Sequence, residues 1–433
     1  MRNAIRLGSL LLITMLLLTF LLACGDDDKT GEEPVTTTDT SITPIEPTDE
    51  SPDEPMEAVT ITFGNLSDLT GPAASVMGPI NMAVEDTIRY FNEQNLIPGV
   101  MLEVVTYDGQ YDPAKGIPGY EWLTEKGADV ILCDAATGPP LVSRATTDQI
   151  PVFMHNVPGE LIDPPGYVFG TGSSPECLAY TTAAWIAEND WDYATNGPAK
   201  IGAVGWDDGL TRKWIEAMEH YAEVHPDQFE WVGGYITPMA TFTFVPEVEA
   251  LKDCDYLFPP GTVMFSFARE YRGAGYTAKF VGGSPQAAFM GMIDDADLWN
   301  EIDGMLFFLE TRWWTDEEGS ILELTKQFLS ENHPDEAEGI IRTGNGYMVV
   351  AQVYMILDMI RTAAEAVGPE NLDSKAIYDA SHTWTMTVDG VDRYSTDETK
   401  RNPPNYVGVY AARAADEDLF REDPEWIPLM CGP

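Results

Sequence analysis

The chain has 433 residues, of which 71 are Asp or Glu and only 24 are Lys or Arg, a formal charge of −47. Such a surplus repels nucleic-acid phosphates and anionic membrane surfaces, which excludes both as docking partners. Hydrophobic residues make up 44% of the chain, enough for sizeable cores, and the 376 residues from Ala58 onward are too many for one ordinary domain and about right for two lobes. Residues 58–433 alone keep 59 acids against 21 Lys and Arg, spread along the chain rather than set in blocks. We expect a saline adaptation, in which a Debye length below about 8 Å weakens self-repulsion. The melting temperature should then rise on adding salt, and one that does not rise contradicts the idea.

At the N-terminus, Leu10 to Ala23 is an apolar run of fourteen residues behind Arg2 and Arg6. A helix crossing a hydrocarbon core needs about 20 apolar residues, so the run is expected to be the core of an export signal, residues 1–23. Its end, Leu21, Leu22, Ala23 and Cys24, resembles the bacterial lipobox; that resemblance implies cleavage before Cys24 and a lipid on its thiol. Gly25 to Glu57 then holds twelve Asp or Glu, seven Thr, five Pro and no aromatic residue. It cannot bury enough apolar surface to offset its ordering entropy, and is expected to be a disordered tether reaching roughly 30 Å as a coil.

Beyond the tether, short apolar runs alternate with helical patterns. "VTITF" (from Val59), "LEVVTY", "DVILC" and "PVFMH" read as strands; between them lie helices expected from Pro79 to Gln94, around Tyr120 to Lys126 and near Leu141 to Thr147. This βαβ rhythm implies a parallel sheet. It restarts with helix "AYTTAAWIAEND" and strand "KIGAVGW", then runs through strands "EWVGGYI", "DYLFPP" and "AKFVGG", with intervening helices at Trp214 to Tyr221, "PEVEALK" and "MFSFAREYRGAG". Two such modules predict two lobes with a ligand cleft at the carboxyl ends of their strands.

These pieces, in order, resemble the type I periplasmic binding proteins of the branched-chain amino acid (Leu/Ile/Val) family that serves ABC importers. The resemblance rests on "LSDLTGPAASVMG", "YDGQYDP", "DVILCDAATGPP", "IPVFMHNVPG", "KIGAVGWDDG" and "NGYMVVAQVYMILDMI". It implies an α/β fold of two Rossmann-like lobes joined by three crossings. We expect the crossings near Gly172 to Pro175, near Asp303, and near Thr385 to Asp389, which makes lobe 1 residues 58–174 plus 303–386 and lobe 2 residues 175–302 plus 387–433. It also implies ligand-binding positions: Val76 or Met77; Ala136 and Thr137, in the turn that donates a hydroxyl and backbone N–H groups to a carboxylate; Asn156 and Val157; Trp206, Asp207 and Asp208, where Gly209 or Leu210 replaces the family's tyrosine; Gly261 and Thr262; and Ser284 and Gln286. Amino acid binders of the family place an acid where Ser284 falls, to pair with the ligand ammonium. Asp207 or Asp208 could substitute. Met77, Trp206, Phe289 and Tyr347 imply an apolar or aromatic ligand body.

No catalytic constellation emerges. "GTGSSPE" and "VGGSPQ" lack the final glycine of a nucleophile elbow. Among the five histidines only His220 and His225 are near one another, at a spacing that fits no helical zinc site. Cys133, Cys177, Cys254 and Cys431 lie far apart, so zero or one disulfide is expected, with no pairing singled out. The expected protein is a lipid-anchored, extracytoplasmic, monomeric solute-binding protein, not an enzyme, with no cofactor and no metal. It would deliver a small hydrophobic or aromatic acid, amide or branched-chain-type amino acid to an ABC permease and its ATPase subunits. The rival readings are a sensory module of the same fold and an exported hydrolase.

Overall fold

The computed structural model of the protein describes residues 58–433; the expected signal peptide, Cys24 and the whole of the tether lie outside them. Strands β1 (Val59–Ser67), β2 (Val100–Asp108), β3 (Ala128–Cys133), β4 (Val152–Met154) and β5 (Val168–Gly170) form one sheet in the order β2-β1-β3-β4-β5. Every pairing in it is parallel. The cause is visible in β1, where residues 61–67 are all buried without alternation, as a strand covered by helices on both faces requires. One covering helix, Ala74–Glu93, buries Val84, Ile88 and Phe91 along one stripe.

The second sheet begins with β6 (Ala199–Trp206), β7 (Phe229–Thr237), β8 (Tyr256–Phe258), β9 (Lys279–Gly283) and β10 (Leu306–Leu309). These run parallel in the order β7-β6-β8-β9-β10. A separate hairpin of β11 (Thr385–Val388) and β12 (Val391–Ser395) follows in the chain. The last strands, β13 (Tyr406–Arg413), β14 (Asp418–Arg421) and β15 (Ile427–Pro428), extend the second sheet antiparallel beyond β10. The α/β architecture, one sheet wholly parallel and the second parallel with an antiparallel edge, is the expected fold class.

Three local expectations change. The first helix starts at Ala74, not Pro79, because the Asp68 carboxylate accepts from the backbone N–H of Gly71 (2.5 Å) and Ala73 (2.8 Å) and turns the chain earlier. β10 pairs with β9 and β13, so the chain leaves the second sheet after Leu309 and not near Asp303. The expected crossing at Thr385 to Asp389 is instead a hairpin turn: Asp389 and Gly390 both have positive φ (52° and 78°), the geometry of a two-residue turn that favours Asp-Gly. The chain returns through β12 and passes to β13 only after Ser395.

One disulfide joins Cys177, in the helix Pro175–Trp185, to Cys431 near the C-terminus. Cys133 and Cys254 are buried free thiols. The apolar stretch Gly346–Val367 is long enough to cross a membrane but is mostly buried in the protein interior, where it packs on the helix Ala74–Glu93.

Candidate functional site: a cleft at the carboxyl ends of two sheets

Residues just beyond the carboxyl ends of β1, β3, β4 and β5 in one sheet, and of β6, β8, β9 and β10 in the other, line one cavity of about 520 Å³. That size suits a small organic ligand. Each loop is shaped by its own sequence. Gly71 fits only as glycine, since a Cβ there would lie 2.4 Å from the Gln110 carbonyl oxygen. The turn it makes presents Val76, Met77 and Ile80 to the cavity. Facing them, Gln110 and Tyr111 both adopt left-handed backbone (φ 54° and 52°), a conformation uncommon for non-glycine residues, and Tyr111 lines the cavity.

After β3, Asp134 Oδ1 accepts from the N–H of both Ala136 and Thr137 at 2.8 Å. Its other oxygen, Oδ2, is buried without a hydrogen-bond partner. After β6, Asp208 Oδ1 accepts from Thr211 N at 2.7 Å and so caps the helix Gly209–Val224. Burial raises the carboxyl pKa of both Asp134 and Asp208. Burial, followed by the charges of Asp134, Asp208 and Asp68, raises the Tyr111 phenol. Tyr111 therefore feels carboxylates from the loops of both sheets.

Just after β10, Glu310 is 5% exposed. Oε1 accepts from Ser173 N (3.1 Å) and Ser173 Oγ, and Oε2 accepts from Ser284 Oγ at 2.5 Å. Its backbone carbonyl accepts from Arg393 Nη2 at 2.5 Å. Ser173 follows β5, Glu310 follows β10 and Arg393 lies in β12, so the three segments that connect the sheets converge on this residue.

His155, at the end of β4, has Nδ1 3.0 Å from Thr171 Oγ1; Nε2 and the nearby Gln352 Oε1 lack partners. Burial lowers the His155 pKa from 6.5 to about 4. A histidine whose folded pKa lies below its unfolded one contributes stability that is full above pH 6.5 and is lost as pH falls toward 4. His155→Gln should flatten that part of the stability profile, and identical slopes for the two proteins over this range contradict the assignment.

Ten of the thirteen positions expected from sequence line the cavity: Val76, Met77, Ala136, Asn156, Trp206, Asp207, Asp208, Gly261, Thr262 and Ser284. Phe289 does too. Thr137, Val157 and Gln286 do not. Thr137 is fully buried, with its methyl group against Gly109. Val157 belongs to the core beneath β3 and β4. Gln286 accepts from Gly283 N and donates to the Pro259 carbonyl, both at 2.9 Å, which holds two loops together. Tyr347 is also core, with its hydroxyl on Asp86. The sequence reading missed Tyr111, Asp134, His155 and Glu310. Three of these directly follow or end an apolar strand run, which was the available signal.

Two parallel-strand sheets that supply one cavity from their carboxyl ends define a two-lobed binding architecture for a small molecule. A family model described as periplasmic binding protein matches residues 60–416, and the chain belongs to that family. No curated protein matches it in sequence. Among solved structures, a valine-bound branched-chain amino acid ABC transporter protein from Thermus thermophilus superposes with a TM-score of 0.72 at 17% identity, over 87% of this chain and 98% of that one. A solute-binding protein from R. palustris in complex with 4-hydroxybenzoate gives 0.67 at 16%, over 86% and 97%. A fatty acid ABC transporter substrate-binding protein from Thermomonospora curvata gives 0.67 at 16%, over 86% and 95%. At such identities the likeness establishes the fold.

Proposed function

We propose that the protein is the solute-binding component of an ABC importer, held outside the cytoplasm by a lipid on Cys24, and that it delivers a small solute with an apolar body to a permease. The observation that carries this reading is the cavity between the carboxyl ends of two parallel-strand sheets whose three connections meet at Glu310. A ligand touching the loops of both sheets stabilises whichever arrangement brings them together, and a membrane partner can read that state. The apolar body would rest on Met77, Trp206 and Phe289, which line the cavity. Support also comes from the ligands named for similar folds, valine and 4-hydroxybenzoate among them. The protein acts here as a monomeric carrier and no chemical step is assigned to it.

A thermal-shift screen tests the reading: at a hundredfold excess over its dissociation constant a true ligand adds about 2.7 kcal/mol of stability. The anchor is tested separately in cells. Cys24→Ala should move the protein from the membrane to the soluble fraction, and unchanged membrane retention contradicts lipid attachment at this residue.

A further inference from the structure

The charge and hydrogen-bonding state of the cavity narrow the ligand further. Resting on the binding-protein reading above, we propose that the cleft takes an organic cation without a carboxylate: an amine or ammonium group carried on an apolar body.

The first observation concerns donors. An anionic ligand needs free N–H groups at the strand-end turns, yet these turns are closed by the protein's own carboxylates. Asp134 occupies the N–H groups of Ala136 and Thr137, Asp208 that of Thr211, and Asp68 those of Gly71 and Ala73. Ala136 has no hydroxyl to offer, and the Thr137 side chain is buried away from the cavity.

The second concerns charge. Among the described residues the lining contains Asp134, Asp207, Asp208 and Glu310 and neither Lys nor Arg. Asp207 is paired with Arg212 on the exposed rim. Asp134 and Glu310 have no such partner: Asp134 is 1% exposed with Oδ2 unpartnered, and the Glu310 carboxylate is held by neutral serine groups. Arg393 touches the Glu310 carbonyl rather than its carboxylate and stacks on Trp426. Buried carboxylates without a counter-charge are unfavourable; a ligand ammonium supplies one, and a ligand carboxylate adds repulsion. His155, lowered by burial, brings no positive charge near pH 7.

The third concerns shape and surface. Met77, Ile80, Phe289 and Met348 give apolar walls to a space of about 520 Å³, and Trp206 and Tyr111 offer aromatic surface that tolerates a cation.

The test is calorimetry on the purified protein with matched probes: 2-phenylethylammonium and isopentylammonium, each beside a carboxylate of similar shape, 3-phenylpropanoate and 4-methylpentanoate. The ammonium member of each pair should bind more than about tenfold tighter, and Glu310→Gln and Asp134→Asn should each weaken it by about tenfold or more. Equal or tighter binding of the carboxylates, absence of binding by both ammonium probes, or ammonium affinity unchanged in both variants overturns the inference. Tight carboxylate binding would do so while leaving the binding-protein reading standing; chemical conversion of a probe would strike that reading instead.

Discussion

Asp86→Ala should lower the stability of the protein by about 3 kcal/mol, measured from urea unfolding midpoints. Asp86 is 2% exposed in the helix Ala74–Glu93. Its carboxylate accepts from the Tyr347 hydroxyl, lies 2.7 Å from His333 Nε2, and pairs with Arg89 Nη1 at 2.9 Å. Alanine leaves the fully buried Tyr347 phenol without an acceptor, and a buried donor stripped of its partner costs more than the pair itself contributed. Adding Tyr347→Phe to Asp86→Ala should recover part of the loss, because the phenol is then absent as well. A loss below about 1 kcal/mol for Asp86→Ala would show that water or rearrangement satisfies Tyr347.

Removing the disulfide by Cys177→Ala with Cys431→Ala should cost about 2–4 kcal/mol. The bridge closes a loop of 254 residues, and beside it the Met430 N–H donates to Thr181 Oγ1 at 2.9 Å, holding the C-terminal segment on the helix Pro175–Trp185. Reductant should destabilise the wild-type protein by the same amount and leave the double variant unchanged. Equal stability of the two proteins in oxidising buffer contradicts this. The other thiols should not confuse the experiment: Cys133 and Cys254 are buried, and burial raises both, Cys254 to about 12, which keeps them in the unreactive thiol form. A bridge of this kind persists in an oxidising compartment, in keeping with the proposed export.

Much of the fold was legible because β1 to β4 and β6 to β9 are apolar runs bounded by turn residues, and several are followed by an amphipathic helix. β5, only three residues long, was not read as a strand, and neither was β10. "LFFL" leads into a long loop before the next helix at Ser320–Asn332, so no βα rhythm marked it, and with it the second crossing and Glu310 were lost. The Asp389-Gly390 turn was a readable hairpin signal in a region expected to be a crossing. In the site, strand-end position alone brought Trp206, Asp208 and Ser284 to the cavity. It could not say which side chains spend their hydrogen bonds on the protein itself. Gln286 does so completely, and Asp134 does so with one oxygen while the other is buried without a partner. Where the resemblance leads one to expect an acid at Ser284, the neighbouring strand brings Glu310 within hydrogen-bond reach of that serine, a proximity visible only once β10 is paired beside β9.

The most direct test of the account is a thermal-shift screen of amines, amides, aromatic acids and amino acids against the wild-type protein and a Gly261→Trp variant, in which an indole at a cavity-lining position fills the cleft. The account predicts at least one compound that raises the wild-type melting temperature saturably and leaves the variant's unchanged. A shift of equal size in the two proteins would place binding elsewhere and contradict it.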